Sequence, residues 1–275
     1  MLAGASMNRN RIIRAAAVLP LAAATAVGAG AASAATGQDP PLNGDFAGYQ
    51  VGGEGSGFVV HSATARWVQP KATPHGFRNR YSEAVVGLND PDGPGVQQDM
   101  AQVGTEADSI GGKPRYYAWY TPRNGGLTCA GAGNCQQVRF KNSVKPGDHL
   151  SASISVRGSQ TTDAHVTMTL TDTRYRRHLP PLRWTHTVRF TQNTEIEGTT
   201  IGASIPDNSG DIVPLADFGT VRFNSATVNG EVIGGYEGTE LTQWNYNDGS
   251  GVLASSSAIT GRGGDFTVTW KRAGG

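Results

Sequence analysis

His149-Leu-Ser-Ala-Ser-Ile-Ser-Val156 and Val166-Thr-Met-Thr-Leu-Thr171 alternate polar and apolar side chains residue by residue, on either side of a turn containing Thr161, Thr162 and Asp163. A period of two places every second side chain on one face, the mark of a strand with one buried and one wet surface. Two such strands joined by a short turn are expected to pair antiparallel.

The same device recurs outward from this pair. Short alternating runs bounded by turn residues predict further strands at Gly57–Val60, Ala63–Val68, Glu83–Leu88, Arg115–Tyr120, Gln136–Phe140, Arg183–Phe190, Thr220–Phe223 and Phe266–Trp270. No segment reads as a long amphipathic helix. About a dozen strands exceed what one open sheet carries comfortably, so two stacked antiparallel sheets around a shared interior are expected. Composition agrees: Gly is abundant at 38 of 275 residues, Lys numbers five against 18 Arg, and Glu eight against 14 Asp, so good helix formers are scarce. The fold class read from the sequence is all-β.

Residues 1–34 are set apart as a secretory signal peptide. Arg9, Arg11 and Arg14 form a basic head, Ala15 to Ala31 an apolar run of small residues, and Ala32-Ser33-Ala34 a small-x-small cleavage site. The expected organisation is a signal peptide, a tail over residues 35–44 and one domain over 45–275, with no repeat or Pro/Ser-rich linker to divide it. A secreted, extracellular protein is expected, with no membrane association once the leader is gone. In an oxidising compartment Cys129 and Cys135, which enclose Ala-Gly-Ala-Gly-Asn, read as a small disulfide loop. Closing so short a loop stabilises by about 2 kcal/mol and pins a local excursion only.

The formal net charge is +1 with no basic run, which argues against a nucleic-acid partner. No Walker loop, H-E-x-x-H or G-x-S-x-G motif is present, so the common nucleotide and hydrolase chemistries lack support. The six histidines are scattered, and neither a metal nor a cofactor is expected. Asn89-Asp90-Pro91-Asp92-Gly93 lacks the distal bidentate Glu of a calcium loop and reads as a turn. Alternation puts Tyr117 and Trp119 on one face of their strand and Tyr116 and Tyr120 on the other, consistent with a groove on one side and a core on the other.

Four separated segments, in order, resemble the glutamic peptidases, the eqolisin family of secreted acid endopeptidases. They are Val85–Gly93, Met100–Asp108 followed by Arg115–Tyr120, the strand pair already quoted with its flanks (144–156 and 166–173), and Pro214–Gly230. Weaker echoes occur at Asp45–Val51, Ala65–Pro70 and Phe266–Trp270. The resemblance implies a lectin-like sandwich of two antiparallel sheets, action on polypeptide, and a reaction that needs no cofactor; a monomer is expected. In that chemistry a glutamate is general base toward a water, and a glutamine amide donates to the oxyanion of the tetrahedral intermediate. A carboxylate with a reference pKa of about 4.3 suits acid conditions.

Gln102 in Met-Ala-Gln-Val-Gly-Thr-Glu-Ala-Asp takes the position of the family's glutamine; Gln97 and Gln98 match less well. Aligning the family's proline with Pro206 puts Thr200 and Ser204 where glutamates belong, and neither can serve as a carboxylate base. The nearest acids are Glu195 and Glu197. Glu197 is the candidate base, at a slip of three residues that needs a bulge, for which Gly198 is suited. Val85, Asn89, Glu106 and Thr121 also depart from the family pattern.

Three functions follow. The first is a glutamic endopeptidase using Gln102 and Glu197. The second is a catalytically inactive relative that holds extended peptides in the same groove. The third is a carbohydrate-binding sandwich presenting Trp67, Trp244 and Tyr246 as exposed aromatics.

Overall fold

The computed structural model describes residues 40–274 apart from 54–55, 91–97, 123–136, 143, 161–162, 175–177, 191–195 and 206–212. The leader, most of the tail, both cysteines, Glu195 and Gln97 lie outside these residues, as does the Pro91–Gly93 part of the turn.

In chain order the strands are β1 (Leu42–Asn43), β2 (Phe46–Gly52), β3 (Ser62–Val68), β4 (Glu83–Asp90), β5 (Gln98–Ile110), β6 (Lys113–Pro122), β7 (Val138–Arg139) and β8 (His149–Ser159). They continue as β9 (Asp163–Asp172), β10 (Leu182–Phe190), β11 (Gly198–Ser204), β12 (Thr220–Val228), β13 (Glu231–Val232), β14 (Leu241–Asn247), β15 (Val252–Ser256) and β16 (Phe266–Trp270). Two single-turn 3₁₀ segments, Ile233–Gly235 and Gly238–Glu240, are the helical content of the described residues.

Hydrogen bonding runs continuously through β10-β9-β8-β3-β12-β16-β15-β14-β2-β11-β4-β5-β6-β7. The chain folds this path into two layers at β14, whose first half (Leu241–Trp244) pairs with β2 while Tyr246 and Asn247 pair with β15. A strand that changes sheets is how a sandwich turns a corner. The groove sheet runs from β2 to β7, and the second sheet from β10 to β15.

Alternation then fills the interior. Leu150, Ala152, Ile154 and Val156 of β8 and Ala164, Val166, Met168 and Leu170 of β9 are buried against Ala84, Val86 and Leu88 of β4 and Ala101 and Val103 of β5. Each fully buried Leu, Ile or Met stabilises by about 1.5–3 kcal/mol. Trp67 is 1% exposed and donates its indole N–H to Thr105 Oγ1 at 3.0 Å, one polar tie between the layers. At the far edges Tyr120 stacks on His186 with centroids 4.2 Å apart, and Phe140 on Trp184 at 5.4 Å.

The β8–β9 hairpin and the strands at Ala63–Val68, Glu83–Leu88, Arg115–Tyr120, Arg183–Phe190, Thr220–Phe223 and Phe266–Trp270 match the expectations, some extended by a few residues. Gln136–Phe140 shrinks to Val138–Arg139. Gly57–Val60 is irregular, its Val60 N–H being taken by the Ile196 carbonyl at 2.9 Å. The expectation that Trp67 and Tyr246 are exposed is overturned: both are 1% exposed and belong to the core, because alternation turns them inward from β3 and β14.

On the outer surface of the groove sheet Gly48 of β2 lies opposite Gly202 of β11. A Cβ built on Gly202 would overlap the Ala47 carbonyl and sit 2.8 Å from the Phe46 ring. Gly202→Ala is therefore expected to destabilise by about 1–3 kcal/mol through overpacking. Urea unfolding measures this as a lower midpoint with an unchanged m-value.

Candidate active-site groove

The outer face of the groove sheet is assembled in rows by strand register. Across β2, β11, β4, β5 and β6 one row reads Gln50, Thr200, Gly87, Gln102 and Thr121. Gly87 is its low point. A Cβ at Gly87 would stand 2.9 Å from Thr200 Oγ1, 3.2 Å from Gln102 Cγ and 3.7 Å from Gln102 Nε2. The threonine hydroxyl and the glutamine amide thus lean from both sides over one point that only a missing side chain leaves open. Gln102 is half-buried, while Gln50, Thr200 and Thr121 are 6%, 7% and 8% exposed. Gln50 is held by a bond from its amide to the Gly52 carbonyl at 3.2 Å and by the Trp244 indole N–H on its own oxygen at 3.2 Å.

One step along the strands the row is Trp244, Gly48, Gly202, Val85, Gly104 and Trp119. Phe46, Val85 and Trp119 form a small apolar cluster here, separate from the core, with Trp244 packed against it. Trp119 and Tyr117 share this face and Tyr116 and Tyr120 take the other, as alternation required. Trp244 is half-buried in this floor, so of the three aromatics expected to be exposed it is the one that reaches the surface.

The next row is acidic. Glu83 of β4 pairs in register with Glu106 of β5, and both are buried. Ser204, at the second position where the family carries glutamate, donates its hydroxyl to Glu83 Oε2 at 3.2 Å, and the Gln137 amide bonds the other oxygen. Arg139 lies 3.3 Å from Glu106 Oε2 and stacks its guanidinium 3.6 Å over the Tyr117 ring. Asp108, two residues beyond Glu106, is fully buried and accepts from the Ser82 N–H at 3.2 Å. Arg115 stands opposite Asp108 in register, but is exposed and forms no ion pair with it. Burial, followed by the neighbouring Glu106, pushes the Asp108 carboxyl up to about 10. Among the described residues no group of three His, Cys, Asp or Glu is placed to hold a metal ion.

The structure does not put Glu197 beside Gln102 in register. Glu197 precedes β11, is half-buried, and accepts the Gly53 N–H on its carbonyl at 2.8 Å. It lies three residues before Thr200, roughly 10 Å of strand. Ile196 packs in the core, and it and Glu197 precede the strand, so the period of two that directs Thr200 outward does not extend to Glu197. Glu106 is four residues from Gln102, roughly 13 Å along β5. Two contributors escaped the sequence reading: Gly87, which creates the open point, and Gln50. Gly87 sits in the motif Val85–Gly93, but one glycine in a strand carries no signal until its neighbours across the sheet are known.

Asp108 sets a pH dependence. Its carboxyl has a folded pKa above the unfolded value of about 3.9, so between these values the folded chain holds more protons than the unfolded one. Stability is therefore expected to be greatest in acid and to fall as pH rises from about 4 toward 10. Thermal melts of Asp108→Asn should show a flatter profile over that range, with the variant gaining relative to the parent at high pH.

The sequence matches the family model of the Peptidase A4 family over residues 45–270. The crystal structure of scytalido-glutamic peptidase with a transition state analog inhibitor is similar in fold, with a TM-score of 0.59 at 17% identity, covering 84% of this chain and 100% of that one. A second structure of scytalido-glutamic peptidase, with a peptide-based transition state analog, gives a TM-score of 0.57 at 16% identity over the same shares of the two chains. No curated protein matches the sequence at a significant level. With most of its length matched, and the two-layer sandwich that goes with it, this chain belongs to the Peptidase A4 family, the glutamic peptidases.

Proposed function

We propose that this protein is a secreted member of its family that binds extended polypeptide in the groove over Gly87 in acid and does not hydrolyse it. One observation carries the reading: the side chain that meets Gln102 across Gly87 is a threonine. A hydroxyl with no adjacent base does not take a proton from water in acid, whereas a carboxylate does. The remaining features suit a ligand. Gln102 keeps an amide that can donate to a peptide carbonyl. Trp119 keeps a buried indole N–H with no hydrogen-bond partner, in the floor next to it. The glycines at 48, 104 and 202 let Phe46 and Trp119 lie flat on the sheet, so the row beside Gln102 is a smooth apolar floor. The secretory-type leader read from residues 1–34 supports a location outside the cell.

A second reading is favoured by the place of Glu197 just before β11, outside the register that directs Thr200. If the Glu197 carboxylate turns toward Gln102, the two share a water, and hydrolysis follows the family's route with a displaced base.

Incubation of the mature chain with an acid-denatured protein from pH 2 to pH 8 separates the two. The expected result is saturable binding without cleavage. Thr200→Glu, which puts a carboxylate opposite Gln102, is expected to raise acid cleavage by about 100-fold or more over the parent, and adding Gln102→Ala to remove about as much. Acid cleavage by the parent chain that disappears in both Glu197→Gln and Gln102→Ala would establish the second reading instead.

A further inference from the structure

The other outer surface of the sandwich, on the second sheet, has a different chemistry. Across β3, β8, β9 and β10 one row reads Thr64, Ser153, Thr169 and Thr185, and the next row is again entirely Ser and Thr. The hydroxyls hold one another in place: Thr64 with Thr227 at 2.7 Å, Thr167 with Thr187 at 2.9 Å and Thr169 with Thr185 at 3.3 Å. A hydroxyl has one donor and two acceptor sites, so the exposed pair of Thr167 and Thr187 retains capacity for a ligand, while Thr169, 8% exposed, serves to hold Thr185.

Arginines border this band on both sides. Arg66 and Arg183 stand in the row before it, with Ser151 and Thr171 between them. Arg157, His165 and Arg189 form the row after it. The sole outward carboxylate of these four strands among the described residues is Asp163, held by Arg189 through both oxygens at 2.7 and 3.1 Å. Asp172, the other acid of β9, is fully buried. Arg66, Arg157 and Arg183 are exposed and form no ion pair among the described residues. With strands about 4.8 Å apart and about 6.6 Å per two residues, Arg66 and Arg183 are roughly 14 Å apart, and the two basic rows roughly 20 Å.

We propose that this face docks an acidic polysaccharide, its carboxylates taken by the unpaired arginines and its sugar hydroxyls by the Ser and Thr rows. Charge complementarity selects a polyanion, since among the described residues three arginines have no ion-pair partner and the four strands carry no outward carboxylate but the paired Asp163. A guanidinium meets a carboxylate in the bidentate geometry suited to uronates. The hydroxyl band selects a sugar. A single-stranded nucleic acid would call for aromatic platforms on which bases stack, and the Ser and Thr rows carry none. The site is independent of the groove, which opens on the opposite outer surface.

The test is affinity electrophoresis of the mature chain in gels containing polygalacturonate, dextran as the neutral control, or single-stranded DNA, with flotation on phosphatidylserine vesicles. Polygalacturonate is expected to retard the chain in low salt, dextran to have no effect, and DNA and vesicles to bind at least about tenfold more weakly. Replacing Arg66, Arg157 and Arg183 together by Glu should weaken polygalacturonate binding about tenfold or more, and the milder triple Gln variant should weaken it by less with unchanged circular dichroism. Lys113→Glu, on the groove sheet, should leave it unchanged. No retardation by polygalacturonate overturns the proposal, as does equal loss in Lys113→Glu, or DNA or vesicle binding as tight as that of the polysaccharide.

Discussion

The groove depends on the absence of a side chain at Gly87. β4 lies between β11 and β5, so the side chain of residue 87 would occupy the space into which Thr200 and Gln102 lean. Without it, two polar groups from strands on either side of β4 lie within 4 Å of a common point. The same economy operates one row away, where the glycines at 48, 104 and 202 leave room for Phe46 and Trp119 to lie flat on the sheet. A Cβ at any of the three would overlap a backbone or ring atom, so shape here is set by the backbone more than by side chains.

The two outer surfaces carry opposite electrostatic problems. On the groove sheet Glu83, Glu106 and Asp108 are buried close together, a costly arrangement for three negative charges. Arg139, Gln137 and Ser204 offset part of it, and Asp108 meets the rest by keeping its proton. On the second sheet the arginines are exposed and largely unpaired. A formal net charge of +1 over the whole chain conceals this separation, because the sum carries no information about faces.

The layered fold was legible because it rests on a period of two, which the β8 and β9 sequences display without interruption. The outward or inward direction of Tyr116, Tyr117, Trp119 and Tyr120 followed from the same rule. What escaped is what depends on partners distant in sequence. β2 and β11, rich in glycine and polar residues, have no alternation of their own, and their strand character comes from pairing with each other and with β4 and β14. Trp67 and Tyr246 were misjudged because an aromatic gives no sign of its side of the sheet unless the strand's phase is known. At the site, the position of Gln102 and the loss of a carboxylate at residue 200 could be read from the flanking motifs. That Thr200 and Gln102 meet over Gly87 needed the register.

The measurement that tests the account most directly is a titration of ¹⁵N-labelled mature chain with an extended peptide at acid pH, following the Gln102 side-chain amide by NMR and the peptide by mass spectrometry in the same sample. The account predicts a saturable shift of the Gln102 amide while the peptide mass stays intact. An unmoved Gln102 signal, or peptide cut in step with binding, would contradict it.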